Sequence, residues 1–438
     1  MKKFFTTIKN IFSIEELRTR IINTIGFLII FRLGSFVVLP GVDPSKLGGE
    51  AGGIFGLLDT FLGGAFSNAS IFGLGIMPYI SASIVIQLLT VAVPYFQRLQ
   101  KEGDSGRKKI TQITRILTIF ITLGQGVGYL SYAVPPEAIL IDRFFFTVSA
   151  LIVLTSGTIF CMWLGEKITD KGIGNGISML IMIGIISRFP GSIIAEFLAK
   201  GMNGALLFVI EIVALFFVVM ASVMLVQAVR RIPVQYAKQV VGNKVYGGQR
   251  QYIPLKVNAS GVMPIIFAQS LMFLPGLVAS IWADSNDIAA SIGSTFADYT
   301  SWQYNLVFGV LIILFTFFYT AITINSKQIA DDMKRNGGFV PGVKPGQPTA
   351  EFIDFILSKI TLPGSFFLAV IAIMPAIANL AGVTTEFSYF YGGTSLLIMV
   401  GVILDTLQQI ESYLLMRHYE GMMKSGKIRG RSENAAVA

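Results

Sequence analysis

The sequence predicts an all-α integral membrane protein of about ten spanning helices, and three observations carry that reading. Of its 438 residues 53% are hydrophobic and only 13% are charged, about half the charged share of a soluble domain. Mean hydropathy is +0.69. Ten apolar runs approach the roughly 20 residues that a helix needs to cross a bilayer, and Lys and Arg favour alternate connections between them.

In chain order, the segment before residue 21 is broken by Lys9, Glu15, Glu16, Arg18 and Arg20, and no small-residue cleavage site follows. It does not read as a removable leader. Phe4, Phe5, Ile8, Ile11 and Phe12 recur at helical spacing and suit a helix lying on the membrane surface. The apolar runs are Ile21–Leu39, Phe72–Val93, Ile113–Val134, Phe144–Leu164, Ile173–Phe189, Ala205–Val229, Ala259–Trp282, Leu306–Ile324, Ile360–Leu380 and Tyr389–Ile410. The fifth is short and opens on Gly174 and Gly176. All but five of the 34 Lys and Arg residues fall at the termini or in even-numbered connections, the exceptions being Arg32, Lys46, Arg143, Arg188 and Lys200. A missed or invented helix would scramble that alternation, which places both termini in the cytoplasm. The chain divides near residue 200 into five helices and five, 1–200 and 201–438, with no residue-level repeat between them.

Two cytoplasmic loops are long. In 230–258, strand-like runs through Val234 and Tyr236 and through Val245 and Tyr252 flank a Gly242-Asn243 turn signal, so a hairpin is expected. In 326–359, the Pro- and Gly-dense stretch 337–346 forbids regular helix and makes a shaped turn. Both loops are expected to protrude beyond the headgroups.

The segment 48–70 is too polar and Gly-rich to span. Ile54, Phe55, Leu57, Leu58, Phe61 and Leu62 are apolar at mixed helical spacing, Asp59 and Thr60 interrupt them, and Gly63-Gly64 ends the run. A short amphipathic helix follows. Physics alone favours a position on the outer surface. Folding back into a cavity is the alternative, since irregular backbone at membrane depth needs protein or water around it.

No catalytic set is present: no phosphate-binding Gly-x-x-x-x-Gly-Lys, no His-Glu-x-x-His, no Gly-x-Ser-x-Gly. His418 is the sole histidine and Cys161 the sole cysteine, which argues against imidazole chemistry, a metal site or an intrachain disulfide. No enzyme activity, cofactor or metal is expected. Ionisable residues within runs (Arg32, Glu166, Glu211 and Asp405) raise the alternative of a secondary transporter of small solutes, but they are scattered, and most lie near run ends where long side chains reach the interface. A pore-less membrane scaffold is a further alternative. Ile80 and Ile84 lie one turn apart on one face of the second run, flanked by the small Ser81 and Ser83, and Ile177 and Ile181 repeat that spacing in the fifth. Such pairs most often face lipid or core.

Several motifs then occur together. They include Leu39-Pro40-Gly41-Val42-Asp43, Ala69-Ser70-Ile71-Phe72-Gly73-Leu74-Gly75-Ile76-Met77-Pro78-Tyr79, Lys101-Glu102-Gly103-Asp104-Ser105-Gly106-Arg107 and Trp163-Leu164-Gly165-Glu166-Lys167. Gly172-Ile173-Gly174-Asn175-Gly176, Pro254-Leu255-Lys256-Val257-Asn258, Phe339-Val340-Pro341-Gly342 and Gly392-Gly393-Thr394-Ser395-Leu396 follow in the same order. In content and order the set resembles the SecY family, the channel-forming subunits of the bacterial Sec protein translocase.

The resemblance implies two pseudo-symmetric five-helix halves around a central hourglass pore, with a short re-entrant plug helix. It implies a protein-conducting channel that passes unfolded polypeptides across the bacterial plasma membrane and releases membrane helices sideways into lipid. It places Ile80, Ile84, Ile177, Ile181, Ile266 and Ile398 in a pore ring, and Phe55, Leu58, Asp59, Phe61, Gly63 and Gly64 in a plug at about 55–68. Gln87, Ser270 and Leu274 fall at a lateral gate, and Lys244, Arg250 and Lys344 in loops that meet a motor or ribosome. The family carries Arg at the position of Lys344; Lys keeps the charge but loses the planar donor fork. Implied partners are SecE-like and SecG-like membrane subunits, the SecA ATPase, the ribosome, signal peptides, nascent polypeptides and lipid, with no DNA.

Overall fold

In lipid each backbone N–H and C=O must be paired within its own segment, so an apolar run folds as a helix. A computed structural model describes residues 12–47, 53–201, 204–236, 239–241, 244–246, 250–269, 271–272, 295 and 298–424. The first half holds α1 (Glu15–Gly34), the short α2 (Gly53–Leu62), α3 (Met77–Ala92), α4 (Pro94–Lys101), α5 (Asp104–Ala133), α6 (Arg143–Lys171) and α7 (Gly176–Lys200). The second holds α8 (Ala205–Gln227), strands β1 (Val229–Tyr236), β2 (Gln239–Val241), β3 (Lys244–Tyr246) and β4 (Arg250–Lys256), and a helical stretch at 263–269. It continues with α9 (Trp302–Thr323), α10 (Ser326–Arg335), β5 (Gly338–Phe339), α11 (Gln347–Leu380), the single-turn α12 (Thr385–Ser388) and α13 (Gly393–Lys424).

Among the described residues seven helices are long and apolar enough to cross a membrane, or eight if α3 and α4 form one span bent by 101°. The bend falls at Pro94, which opens α4 and has no N–H to continue α3. Of the ten expected runs, the first folds as α1, with Glu15 and Glu16 at one end and Arg32 at the other. Most of the seventh, Ala259–Trp282, lies outside the described residues, as does the amphipathic start at 1–11. The fifth is not short: α7 has 25 residues and runs through Pro190.

The burial pattern is that of a lipid-solvated bundle. α8 is the most apolar span, with a mean hydropathy of 2.8, yet only 17% of it is buried. Leu206, Phe216 and Phe217 point outward. Water would penalise such a surface, whereas acyl chains are as apolar as the side chains themselves.

The loops differ in detail from expectation. β1 pairs antiparallel with β4, from Val229 opposite Lys256 to Gln235 opposite Arg250, and with β5 through Gln235 and Phe339. β2 and β3 pair around 242–243, so the expected hairpin forms. The sheet rests on Met333 of α10 and on Ile353 and Leu357 of α11. Residues 326–359 are therefore not an extended loop. α10 and the first turns of α11 are helical, and only the Gly- and Pro-dense 336–346 stays irregular apart from β5. Gly342 and Gly346, at φ 87° and 101°, adopt the positive-φ region that glycine tolerates.

Candidate functional site

The centre of the bundle is one apolar cluster to which both halves contribute. Ile80 and Ile84 from α3, Ile181 from α7 and Ile398 from α13 are buried in it, and Ile177 and Ile266 pack against it partly buried. All six isoleucines named from the sequence thus converge, from four separate segments of chain.

Local structure explains how each is aimed. α3 starts on Met77-Pro78, and the irregular stretch before it lies so close to α6 that a Cβ on Gly157 would sit 2.1 Å from the Ile71 carbonyl oxygen. α7 starts on Asn175, whose Oδ1 accepts from the N–H groups of Ile177 (3.1 Å) and Ser178 (3.2 Å). That cap fixes Ile177 in the first turn, with Ile181 a turn later. The preceding turn is pinned twice, by Ile173 N–H to Thr24 Oγ1 at 3.0 Å and by Gly174 N–H to Gln409 Oε1 at 2.9 Å. At the start of α13, Thr394 Oγ1 hydrogen-bonds Gln269 Oε1 at 2.9 Å, anchoring the turn before Ile398.

α2 folds back against this cluster, which overturns the surface placement. Asp59, Phe61 and Leu62 are each no more than 5% exposed. Phe61 joins the same cluster as the isoleucines, and its carbonyl oxygen would lie 2.1 Å from a Cβ on Gly184, less than a turn beyond Ile181. Only glycine at 184 lets the two backbones approach so closely. Gly63 and Gly64 end the helix in the left-handed region, at φ 62° and 91°, with Gly64 N–H returning to the Asp59 carbonyl at 3.1 Å. The short helix fits at depth because its polar groups are met. Asp59 Oδ2 pairs with the Arg188 guanidinium, Asp59 Oδ1 accepts from Ser67 N–H at 2.9 Å, and Arg32 Nη1 donates to the Gly63 carbonyl at 2.6 Å. Phe55 and Leu58 lie on the same helix, but their side chains are outside the described part.

A second opening lies between the halves. A cavity of about 590 Å³ is bounded by Tyr79, Ser83 and Gln87 of α3, Thr111 and Thr114 of α5, and Phe318 and Tyr319 of α9. The Tyr319 hydroxyl donates to Gln87 Oε1 at 2.7 Å, and Gln87 Nε2 donates to Ser83 Oγ at 3.3 Å. Ser270 and Leu274, named with Gln87 from the sequence, lie outside the described residues. Tyr319 was not legible beforehand, because one tyrosine in the run Phe315–Tyr319 carries no signal of its partner.

Of the loop residues, Lys344 is exposed, in a turn closed by Thr349 Oγ1 donating to its carbonyl at 2.8 Å. Lys244 and Arg250 sit in β3 and β4, with side chains outside the described part. The four ionisable residues named within the spans do not meet one another; Asp405 is exposed, and the other three each have a partner of their own. Arg32 holds α2, Glu166 pairs with Arg115 at 2.7 Å, and Glu211 meets Lys200 at 3.0 Å. Arg188 and Glu196 complete two of these groups and were missed as partners. A charge inside an apolar run was the one available signal for Arg188.

Comparison with known proteins agrees with this geometry. The SecY family model matches residues 70–407. A protein translocase subunit SecY from Streptomyces scabiei is 43% identical over 436 residues, covering 96% of this chain and 100% of that protein. Two solved structures share the fold at low identity. A SecY structure, described as having a plug domain that stabilises the closed translocation channel, matches with a TM-score of 0.63 at 17% identity, over 90% of this chain and 92% of that one. Sec61 in the canine ribosome-channel complex matches with a TM-score of 0.58 at 15% identity, over 90% and 92%. With a family model matched over most of its length and a relative 43% identical along almost all of it, the chain belongs to the SecY family of protein translocase subunits.

Proposed function

We propose that this chain forms the protein-conducting channel of a bacterial plasma-membrane translocase, with the six isoleucines as its seal. The observation that carries this is their convergence, with Phe61 of α2, in one apolar cluster at the meeting of the two halves. A polypeptide channel must pass many side chains while binding none and leak few ions when idle. A narrow apolar constriction excludes ions by dewetting. Isoleucine offers no hydrogen bond to hold a passing backbone, and branched side chains pack around chains of varying width.

In this reading α2 is the plug, closing the channel from the outer side, and Asp59, Gly63 and Gly64 hold it there. The Gln87–Tyr319 contact marks the lateral gate, through which an apolar signal peptide or membrane helix moves into lipid, driven by burial worth about 25 cal/mol per Å². Both termini are cytoplasmic. The basic loops, through Lys244, Arg250 and Lys344, meet the ribosome or a SecA motor, and SecE-like and SecG-like subunits lie against the apolar outer surface. Support for a ribosome partner comes from Sec61, whose solved structure is a ribosome-channel complex. The sequence carries none of the nucleotide-binding or catalytic motifs sought, so in this reading the driving energy comes from a partner or from an ion gradient.

The test is crosslinking. With Cys161 replaced by Ala, single cysteines at Ile84 and Ile398 should crosslink to a stalled, signal-bearing chain in proteoliposomes. Absence of those crosslinks, together with counterflow of a labelled small solute, would replace the channel by a secondary transporter.

A further inference from the structure

The start of α13 faces a small cavity that belongs to neither seal, plug nor gate. Its volume is about 30 Å³, and it lies between the opening turns of α9 and α13 and the last turns of α11. The residues around it explain the space. Gly392 and Gly393 have no side chain, and Ala372 and Ala376 bring one methyl group each. Gly392 can carry nothing larger, because a Cβ there would sit 2.2 Å from the Ile371 carbonyl oxygen. That carbonyl lies one turn before Pro375, which has no N–H to return to it.

Polar groups converge on this space. Ser395, which lines it, is 1% exposed, and its Oγ is buried without a hydrogen-bond partner among the described residues. Thr394 Oγ1 donates to Gln269 Oε1 at 2.9 Å, so its own lone pairs remain free to accept. Asn305 Nδ2 donates to the carbonyls of Tyr299 and Ser301, both at 2.8 Å, which leaves Oδ1 as an acceptor. The first N–H groups of α13 have no partner within the helix.

A buried hydroxyl left unmet is costly, whereas a bridging water meets it almost as well as a direct partner does. One water needs roughly 10–15 Å³ and about two to four polar partners, and apolar cavities of similar size stay dry. This cavity has both the room and the partners. We propose that it binds one or two ordered water molecules, with the Ser395 hydroxyl as one partner and the side-chain amides of Gln269 and Asn305 as the others. The water ties the first turn of α13 to α9 and to the helical stretch at 263–269. A halide could also take the N–H and O–H donors, but Asn305 Oδ1 and Gln269 Oε1 are acceptors and disfavour an anion. The site is independent of the channel reading.

The experiment uses the full chain reconstituted in lipid. X-ray radiolysis in isotopically labelled water turns bound water into hydroxyl radicals, which mark the side chains beside it. Two tyrosines form a matched pair. Tyr304 is 3% exposed and lines the cavity, while Tyr129 is 4% exposed and donates its hydroxyl to the Phe66 carbonyl elsewhere. Tyr304 should gain labelled oxygen severalfold faster than Tyr129. Ala376→Val fills the space and should bring Tyr304 down to the Tyr129 rate. Ser395→Ala removes a partner without adding bulk and should slow Tyr304 severalfold in a chain that folds normally. Equal rates for the two tyrosines in the wild type would mean a dry cavity and overturn the proposal. So would a Tyr304 rate that neither substitution changes. A thermal midpoint that rises when chloride replaces gluconate, and only with Ser395 in place, would assign the site to a halide and equally overturn it.

Discussion

At the scale of single residues, the proposed seal rests on side chains whose contribution is to fill space. Ile80, Ile84, Ile181 and Ile398 are all between 5% and 8% exposed, so a polar atom placed there enters an apolar cluster without a partner. Such an atom costs about 1–3 kcal/mol, and it recovers that cost by recruiting water and ions. Replacing Ile80 and Ile398 together by Asn should raise the ion conductance of the idle channel about tenfold or more, measured in planar bilayers. Unchanged conductance would remove these residues from the seal. The polar contacts near the waist act differently. Asp59 is buried only because Arg188 and Ser67 N–H meet both of its oxygens, and a short helix with an unmet carboxylate would return to the membrane surface that its amphipathic pattern, taken without the motifs, favours.

At the scale of elements, α3 and α9 face each other across the boundary between the halves and are linked by the Tyr319 hydroxyl and Gln87. A neutral hydrogen bond of this kind contributes about 1 kcal/mol. Its loss should shift a gate equilibrium by roughly fivefold. Tyr319→Phe keeps the ring and its packing on Phe267 while removing the donor. Export of substrates with weakly apolar signal peptides should therefore rise severalfold, scored in reconstituted vesicles, while strong signals change little. Equal rates for both variants would separate this contact from gating.

At the scale of the whole molecule, the surface is divided by solvent. The spans present Leu206, Phe216 and Leu314 outward, and the sheet stands on α10 and α11 with Lys344 exposed at the turn between them. Exposed charges steer partners and are screened by salt. Reversing Lys344 and Arg250 to Glu should slow motor- or ribosome-driven export on the order of tenfold at low salt, with membrane insertion and thermal stability unchanged. Normal export would dismiss the loops as docking sites.

The sequence by itself determined that the chain is a helical membrane protein, which connections are basic, that a Gly- and Pro-dense turn interrupts the second long connection, and, through ordered motifs, which isoleucines to examine. Those features are local or compositional, and a period of 3.6, a run length or a Lys count survives without knowledge of neighbours. Only the tertiary structure decided which partners hold α2 at depth, that Glu196 and Glu211 meet at one lysine, and that Tyr319 finds Gln87. Each joins residues far apart in the chain, and a buried charge or hydroxyl is tolerable only beside a partner whose position the fold sets.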